Sequence, residues 1–309
     1  MRDRPSLVRP AVRLPAQGPA GSTLEASGGA DSLAPSAPLR CISYLAPSLP
    51  DELFRVLAEY LAAALGTTAS IEYETRFSAP ESQPSNGFAL NRYDLGFVCS
   101  TALALAAEHP AGFELVPYAP VFDDTRAEGR PVYFSEVTVR GDSQVFAPED
   151  LAGGVWAYND SCSLSGYFSL LEFLDRRDLD LSFLGGMRHS GSHLGSIELV
   201  MSGQADAAAI DSNVLSLQRR RRPELRTSLR VIASWGPFPV QPVVVRTMLP
   251  GLTKLAVAEA LSQLASSPET RRRLEPFGLQ GFAEVDEAFY ATQRQSIERC
   301  RRVFGQLPG

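Results

Sequence analysis

Tyr133-Phe-Ser-Glu-Val-Thr-Val-Arg140 reads as a long strand, and Val240-Gln-Pro-Val-Val-Val-Arg246, about a hundred residues on, reads as a second. Between them lies a self-contained run of strands and helices. Residues 155–159 form a strand, 163–174 a helix, 194–202 a helix closed by Gly203, and 207–210 a buried strand of small residues. Upstream the alternation is similar. A strand over 39–45 leads to Ser48-Leu-Pro-Asp51, a helix start with Pro early and an acid in the first turn. Leu53, Phe54, Leu57, Tyr60, Leu61 and Leu65 then share one helical face, and Gly66 closes it. Strands over 70–74, 93–99 and 113–118, a loop over 76–87 and a helix over 101–108 capped by Ser100 complete this part. After Arg246 the pattern predicts only helices, at 252–266, 268–275 and 285–303. Strand–helix alternation implies parallel sheets with covered faces. The simplest topology is one lobe, 39–135 with 246–309, interrupted by a second, 136–245. Two crossover strands serve as the hinge, and a cleft lies between the lobes.

Composition narrows the function classes. The 309 residues carry 29 Lys+Arg against 35 Asp+Glu, net −6, which disfavours a general nucleic-acid binder. No apolar run reaches the ~18 residues of a membrane span. Cys41, Cys99, Cys162 and Cys300 are scattered, without a C-x-x-C, and read as buried free thiols. With three histidines in all, no metal site or cofactor is expected. Residues 1–38 hold six Pro and four Gly without apolar periodicity and are expected to form a disordered leader. No run of ~7–15 apolar residues follows its arginines, so no secretory signal is read there. Arg219–Arg222 is expected to be a solvated helix end.

Three stretches carry candidate chemistry. In Tyr158-Asn-Asp-Ser-Cys-Ser-Leu-Ser-Gly-Tyr167 a strand ends and a helix begins near Ser163. Helix starts leave N–H groups unpaired and partly positive, Ser163 and Ser165 add hydroxyls, and Gly166 would let a ligand approach the backbone. Ordinary capping by Ser uses the same residues. In His189-Ser-Gly-Ser-His193 a second helix begins, and His193 could donate to an anion, whose charge would raise its pKa. Capping or a solvated loop is the better reading of His189. Third, a small-residue strand delivers Asp211 to its C-terminal edge, where ligands bind in open α/β sheets. Asp211 could accept from a ligand P–OH or ammonium group, or cap the next helix. From the first lobe, Tyr44, Ser48, Cys99, Ser100 and Thr101 follow strands, and Tyr133 and Ser135 open the first crossover. A Ser163/His193/Asp211 triad lacks a nucleophile elbow.

Together, D-L-G-F-V-C-S (94–100), Y-F-S-E-V-T-V-R-G-D-S (133–143), W-A-Y-N-D-S-C-S-L-S-G-Y (156–167), G-S-H-L-G-S-I (191–197) and A-D-A-A-A-I-D-S (205–212) resemble the periplasmic phosphate/phosphonate-binding proteins of ABC transporters. The resemblance runs from about Leu39 to the C-terminus. It implies an α/β, two-lobed, type 2 periplasmic-binding-protein-like fold that captures a phosphate, phosphite or phosphonate for an ABC permease, without catalysis. It implies that Ser163, Ser165 and Gly166 hold the anion's oxygens with His193 assisting, and that Tyr44, Ser100 and Tyr133 complete the cleft; Thr101, Ser135 and Asp211, from the strand ends, complete the candidate ligand set. Two serines, His193 and helix-start N–H groups would hold the anion without any Lys or Arg. Leu164 stands where a hydroxyl residue is common, and Gln241 where an acid would suit an aminophosphonate. The implied location is periplasmic. A cytoplasmic sensing or sequestering module on the same fold is the alternative, and an enzyme recruited from it a third reading.

Overall fold

A computed structural model describes residues 37–80, 86–106 and 112–305. The leader expected over 1–38 lies outside them except for Ala37 and Pro38, as do residues 81–85 of the expected loop and the end of the helix expected over 101–108. The chain runs β1 (Leu39–Ser43), α1 (Asp51–Ala64), β2 (Ala69–Tyr73), β3 (Leu95–Phe97), α2 (Thr101–Ala106), β4 (Phe113–Leu115) and β5 (Tyr118–Phe122). It continues through β6 (Val132–Arg140), β7 (Val155–Tyr158), α3 (Ser169–Asp175), β8 (Gly186–His189), α4 (His193–Met201), β9 (Ala207–Asp211), α5 (Ser212–Arg221) and α6 (Leu225–Ser228). Last come β10 (Leu229–Pro239), β11 (Val243–Arg246), α7 (Gly251–Gln263), α8 (Pro268–Leu274), β12 (Leu279–Glu284) and α9 (Glu287–Phe304).

Two five-stranded sheets organise two lobes, in the orders β2-β1-β3-β11-β4 and β10-β6-β9-β7-β8. β1 runs parallel to β2 and β3, and β7 parallel to β8 and β9. The strands beside the crossings run antiparallel: β11 against β3 and β4, and β6 against β9 and β10. The chain leaves the first lobe between Phe122 and Val132 and returns between Pro239 and Val243.

The apolar stripe of α1 dictates its packing. Leu53, Phe54, Leu57 and Leu61 are buried in the main core, while the Tyr60 hydroxyl reaches out to donate to the Ala260 carbonyl of α7 at 2.8 Å. In the second lobe, Trp156 is fully buried, stacked on Trp235 at 6.0 Å between ring centroids, and Trp235 stacks on Phe173 at 5.1 Å.

The structure departs from the sequence pattern at two places. Of the stretch read as one strand over 240–246, only Val243–Arg246 is a strand, β11; residues 240–242, with Pro242, join it to β10, whose pairing with β6 ends at Pro239. β10 before it has register shifts between Val231 and Ala233 and between Trp235 and Phe238; as an edge strand it tolerates Pro237. The region after Arg246 also contains a strand: β12 pairs antiparallel with β5, which Pro117 separates from β4.

One buried carboxylate joins three strands of the first sheet. Asp94, just before β3, accepts from Arg40 Nε and Nη2 of β1 at 2.8 Å each and from Arg246 Nη2 of β11 at 2.9 Å. Removing it strands two guanidiniums, one of them with a side chain only 14% exposed. We expect Asp94→Ala to cost about 2–4 kcal/mol in urea unfolding; a loss below ~0.5 kcal/mol would assign the ion pairs no structural weight.

Candidate functional site

A cavity with about 500 Å³ of empty space, part of it open to solvent, lies where the two lobes face each other. The second lobe contributes Ser163 and Ser165 from the loop after β7, Ser192 and His193 at the start of α4, and Asp211 at the end of β9. The first lobe contributes Tyr44 and Ser48 after β1 and the 75–78 segment after β2. Gln241 enters from the link between β10 and β11.

The loop after β7 is held from behind. Ser163 Oγ accepts from Gly166 N at 3.0 Å and caps a single π-turn over Leu164–Phe168. Trp156 Nε1 donates to the Gly166 carbonyl at 3.1 Å, and the Ser135 and Ser169 hydroxyls both donate to the Ser165 carbonyl. With its carbonyls engaged, the turn presents the Ser163 and Ser165 side chains to the cavity. Ser165 Oγ lies 3.0 Å from His193 Nε2. His193 opens α4, whose cap is Ser192, accepting from Gly195 N at 3.0 Å. The two turns therefore converge on one side of the cavity.

Bonds cross the cleft directly. His193 N donates to Ser48 Oγ and Ser78 Oγ to Asp160 Oδ1, each at 3.0 Å, and Thr101 Oγ1 donates to the Cys162 carbonyl at 2.6 Å. Gln241 Nε2 donates to Asp211 Oδ2, while Asp211 Oδ1 accepts from Asn213 N at 2.7 Å and more distantly from Val214 N. Asp211 thus caps α5 and lines the cavity at once, and three of its roughly four acceptor positions are filled.

Of the ten residues proposed from the sequence, Tyr44, Ser163, Ser165, His193 and Asp211 line the cavity. Five do not. Ser135 and Thr101 spend their hydroxyls on the carbonyls of Ser165 and Cys162. Tyr133 is buried in the core and stays out of the cavity wall. Ser100 Oγ is buried without a partner, so it neither lines the cavity nor caps α2, which starts on backbone bonds to Cys99 and Ser100 carbonyls. At Gly166 the close neighbour is Asn159: an added Cβ would fall 2.0 Å from Asn159 Oδ1. The glycine admits that side chain rather than a ligand. The sequence reading also missed Arg76, which stands in the cavity wall paired with Glu74 at 2.9 Å through Nε. A lone Arg in a polar loop carries no periodicity that would have revealed it. The four cysteines are free, and Cys99 lines the cavity.

Burial sets the charge states. It holds His193 neutral, its pKa pulled down to about 4, and its Nδ1 is buried without a partner. It pushes Asp211 up to about 6 against the opposing hydrogen bonds from Gln241, Asn213 and Val214. Burial likewise raises Asp160, although Cys162 N and Ser78 donate to it. Among the described residues no cluster of His, Cys, Asp and Glu could hold a metal ion, and no helix is long and apolar enough to cross a membrane.

Two lobes, a bridged cleft and converging hydroxyl and N–H dipoles define a type 2 solute-binding protein. Residues 41–290 match the family of ABC transporter phosphonate periplasmic substrate-binding proteins, and the chain belongs to that family. The fold is similar to a binding component of a phosphonate ABC transporter from Pseudomonas aeruginosa (18% identity, TM-score 0.71, covering 86% of this chain and 87% of that one). It is also similar to PhnD1 of Prochlorococcus marinus, solved with methylphosphonate (16% identity, TM-score 0.70, 86% and 97% covered). A Xanthomonas citri protein solved with ATP is a third neighbour (19% identity, TM-score 0.68, 86% and 99% covered). No curated protein sequence matches the chain.

The two buried groups act oppositely on stability. His193, at about 4 when folded against an ordinary 6.5, contributes stability above pH 6.5 that is lost as pH falls to 4. Asp211, at about 6 against an ordinary 3.8, opposes folding above pH 6 and releases that penalty as pH falls. Their contributions nearly cancel over this window. In Asp211→Asn only the histidine remains, so stability should fall by roughly 3 kcal/mol more than in the parent between pH 6.5 and pH 4. Urea midpoints measured across that range check this; parallel pH profiles for the two proteins would refute it.

Proposed function

We propose that the cavity binds a small phosphorus oxyacid, with Ser163, Ser165 and His193 donating to its oxygens from the second lobe and Tyr44 closing over it from the first. The observation that carries this reading is the convergence of two chain turns of one lobe, tied by the bond between Ser165 and His193. The arrangement suits an anion that keeps one proton. A neutral imidazole and hydroxyls meet the negative oxygens, and the remaining acceptor position of Asp211 takes a P–OH. Micromolar capture needs about −8 kcal/mol. Hydrogen bonds to a charged group contribute roughly 1.5–3 kcal/mol each, so four to six donors reach that after association costs.

Binding without catalysis fits the hydrogen-bond pattern. His193 is bonded to Ser165 and not Ser163, and Asp211 is bonded to Gln241 and the start of α5 and not to His193. Among the described residues no base is oriented by a third group toward a nucleophile, as covalent catalysis requires. The protein then hands its ligand to an ABC permease outside the cytoplasm, as its family does.

Titration calorimetry with phosphate, phosphite and methylphosphonate should show micromolar binding of at least one; heat from none of them removes the reading. Ser165→Ala should weaken the bound ligand about ten- to a hundred-fold. Unchanged affinity would move the ligand away from the π-turn. Mass spectrometry of the protein purified from its own cells should find the N-terminal segment cleaved; an intact Met1 would place the protein in the cytoplasm.

A further inference from the structure

The last helix, α9, touches both lobes. It issues from β12 of the first lobe through Asp286, which caps it by accepting from Phe289 N at 2.9 Å. Tyr290, buried near its start, donates at 3.2 Å to the carbonyl of Val240, in the return link between the lobes. Farther along, Ile297 and Cys300 are buried in the main core, and the helix lies against α2 of the first lobe and against α3 and β10 of the second. Its end grips the second lobe by side chains. Arg299 donates to both carboxylate oxygens of Asp175, at 2.5 and 3.1 Å. Phe304 packs against the second-lobe core cluster that holds Leu170, Phe173 and Leu174.

Two features set this contact apart from an ordinary surface pair. Asp175 is the last residue of α3, where the helix dipole disfavours an acid. Its side chain is only 12% exposed, and the last turn of α3 holds no basic residue, so the compensating charge comes from α9. Asp175 therefore serves the contact at the expense of its own helix. In addition, α3 runs on directly from the π-turn over Leu164–Phe168 that carries Ser165. The grip of α9 bears on the same continuous piece that presents the donors to the cavity.

α9 is a single rod of 18 residues, joined covalently to the first lobe and seated at its end on the second. Rotation of the lobes about their two covalent links shears the contacts of Arg299 and Phe304 with that lobe.

We propose that the last two turns of α9 are a latch outside the cavity, in which Arg299 and Phe304 hold the second lobe when the cleft is closed and release it when the cleft opens. The latch favours the closed form without touching the ligand, so it raises the affinity for every ligand by the same factor. It rests on the closing motion of the proposed function and not on which oxyacid is bound.

The test uses the full chain with Asp175→Arg, with Arg299→Asp, and with both changes together, which rebuilds the pair with its charges exchanged. In ligand-free protein the His193 N–H, bonded to Ser48 across the cleft, reports closure by hydrogen exchange. Each single change should speed that exchange about three-fold or more and enlarge the radius of gyration in X-ray scattering. The double change should bring both back toward the parent. Among phosphate, phosphite and methylphosphonate, each that the parent binds should weaken by one common factor in the single variants, leaving their order and ratios unchanged. The Arg299 side chain is 64% exposed, so Arg299→Asp leaves the core intact and decides the matter alone if Asp175→Arg fails to fold. Unchanged exchange and scattering in the single variants, a loss that the double change does not repair, or altered ratios between ligands overturns the latch. Calorimetric silence toward all three oxyacids removes the proposed ligand, and the ligand-free exchange and scattering still decide the latch.

Discussion

The absence of a paired cation from the floor of the site governs everything around it. Burial keeps the His193 imidazole neutral, and it acts as a dipole beside Ser165. Arg76, in the cavity wall, is already neutralised by Glu74. The donors that Ser163, Ser165 and His193 offer from the second lobe are dipoles and not charges. A buried ion pair pays heavily for desolvation and is costly to break from one side. A set of neutral donors gives enough affinity for capture and still releases the ligand when the lobes part, which is what a carrier requires.

Neutral donors work only if their directions are fixed in advance, since each loose hydroxyl would lose entropy on binding. The second lobe achieves this largely with groups behind the cavity wall. Trp156, Ser135 and Ser169 consume the carbonyls of Gly166 and Ser165. Asn159, itself part of the cavity lining, packs against Gly166, where a Cβ would have to displace its amide. The polar residues of the 156–169 stretch thus divide into those that face the ligand and those that hold the turn. Both kinds are needed, and both carry the same hydroxyl chemistry.

That division explains what could be read from the sequence. Strand ends and helix starts were legible because caps and small-residue strands leave a local signature: Ser163, Ser192 and Asp211 are caps in fact. Which hydroxyl turns inward was not legible, because it depends on the π-turn and on partners tens of residues away. Ser135 sits 30 residues from the carbonyl it supports, and Thr101 is 61 from its own. The same limit hid β12. Its six residues pair with β5 across more than 150 positions, so no local alternation marks the pair. The split of the second crossover into β10 and β11 was hidden by its prolines, which read equally well as an interrupted strand or as the joint between two.

Gln241 occupies that joint, and its position gives it three tasks. It lies on the return path between the lobes, so its bond to Asp211 ties the hinge to the end of β9. It supplies a buried carboxylate with a neutral donor. It also stands in the cavity wall. A glutamate at this position would set two carboxylates against each other in a low-dielectric site, and the ligand would then have to bring a positive charge to relieve them. With glutamine the amide supplies the donor, and the charge of Asp211 is accommodated before any ligand arrives.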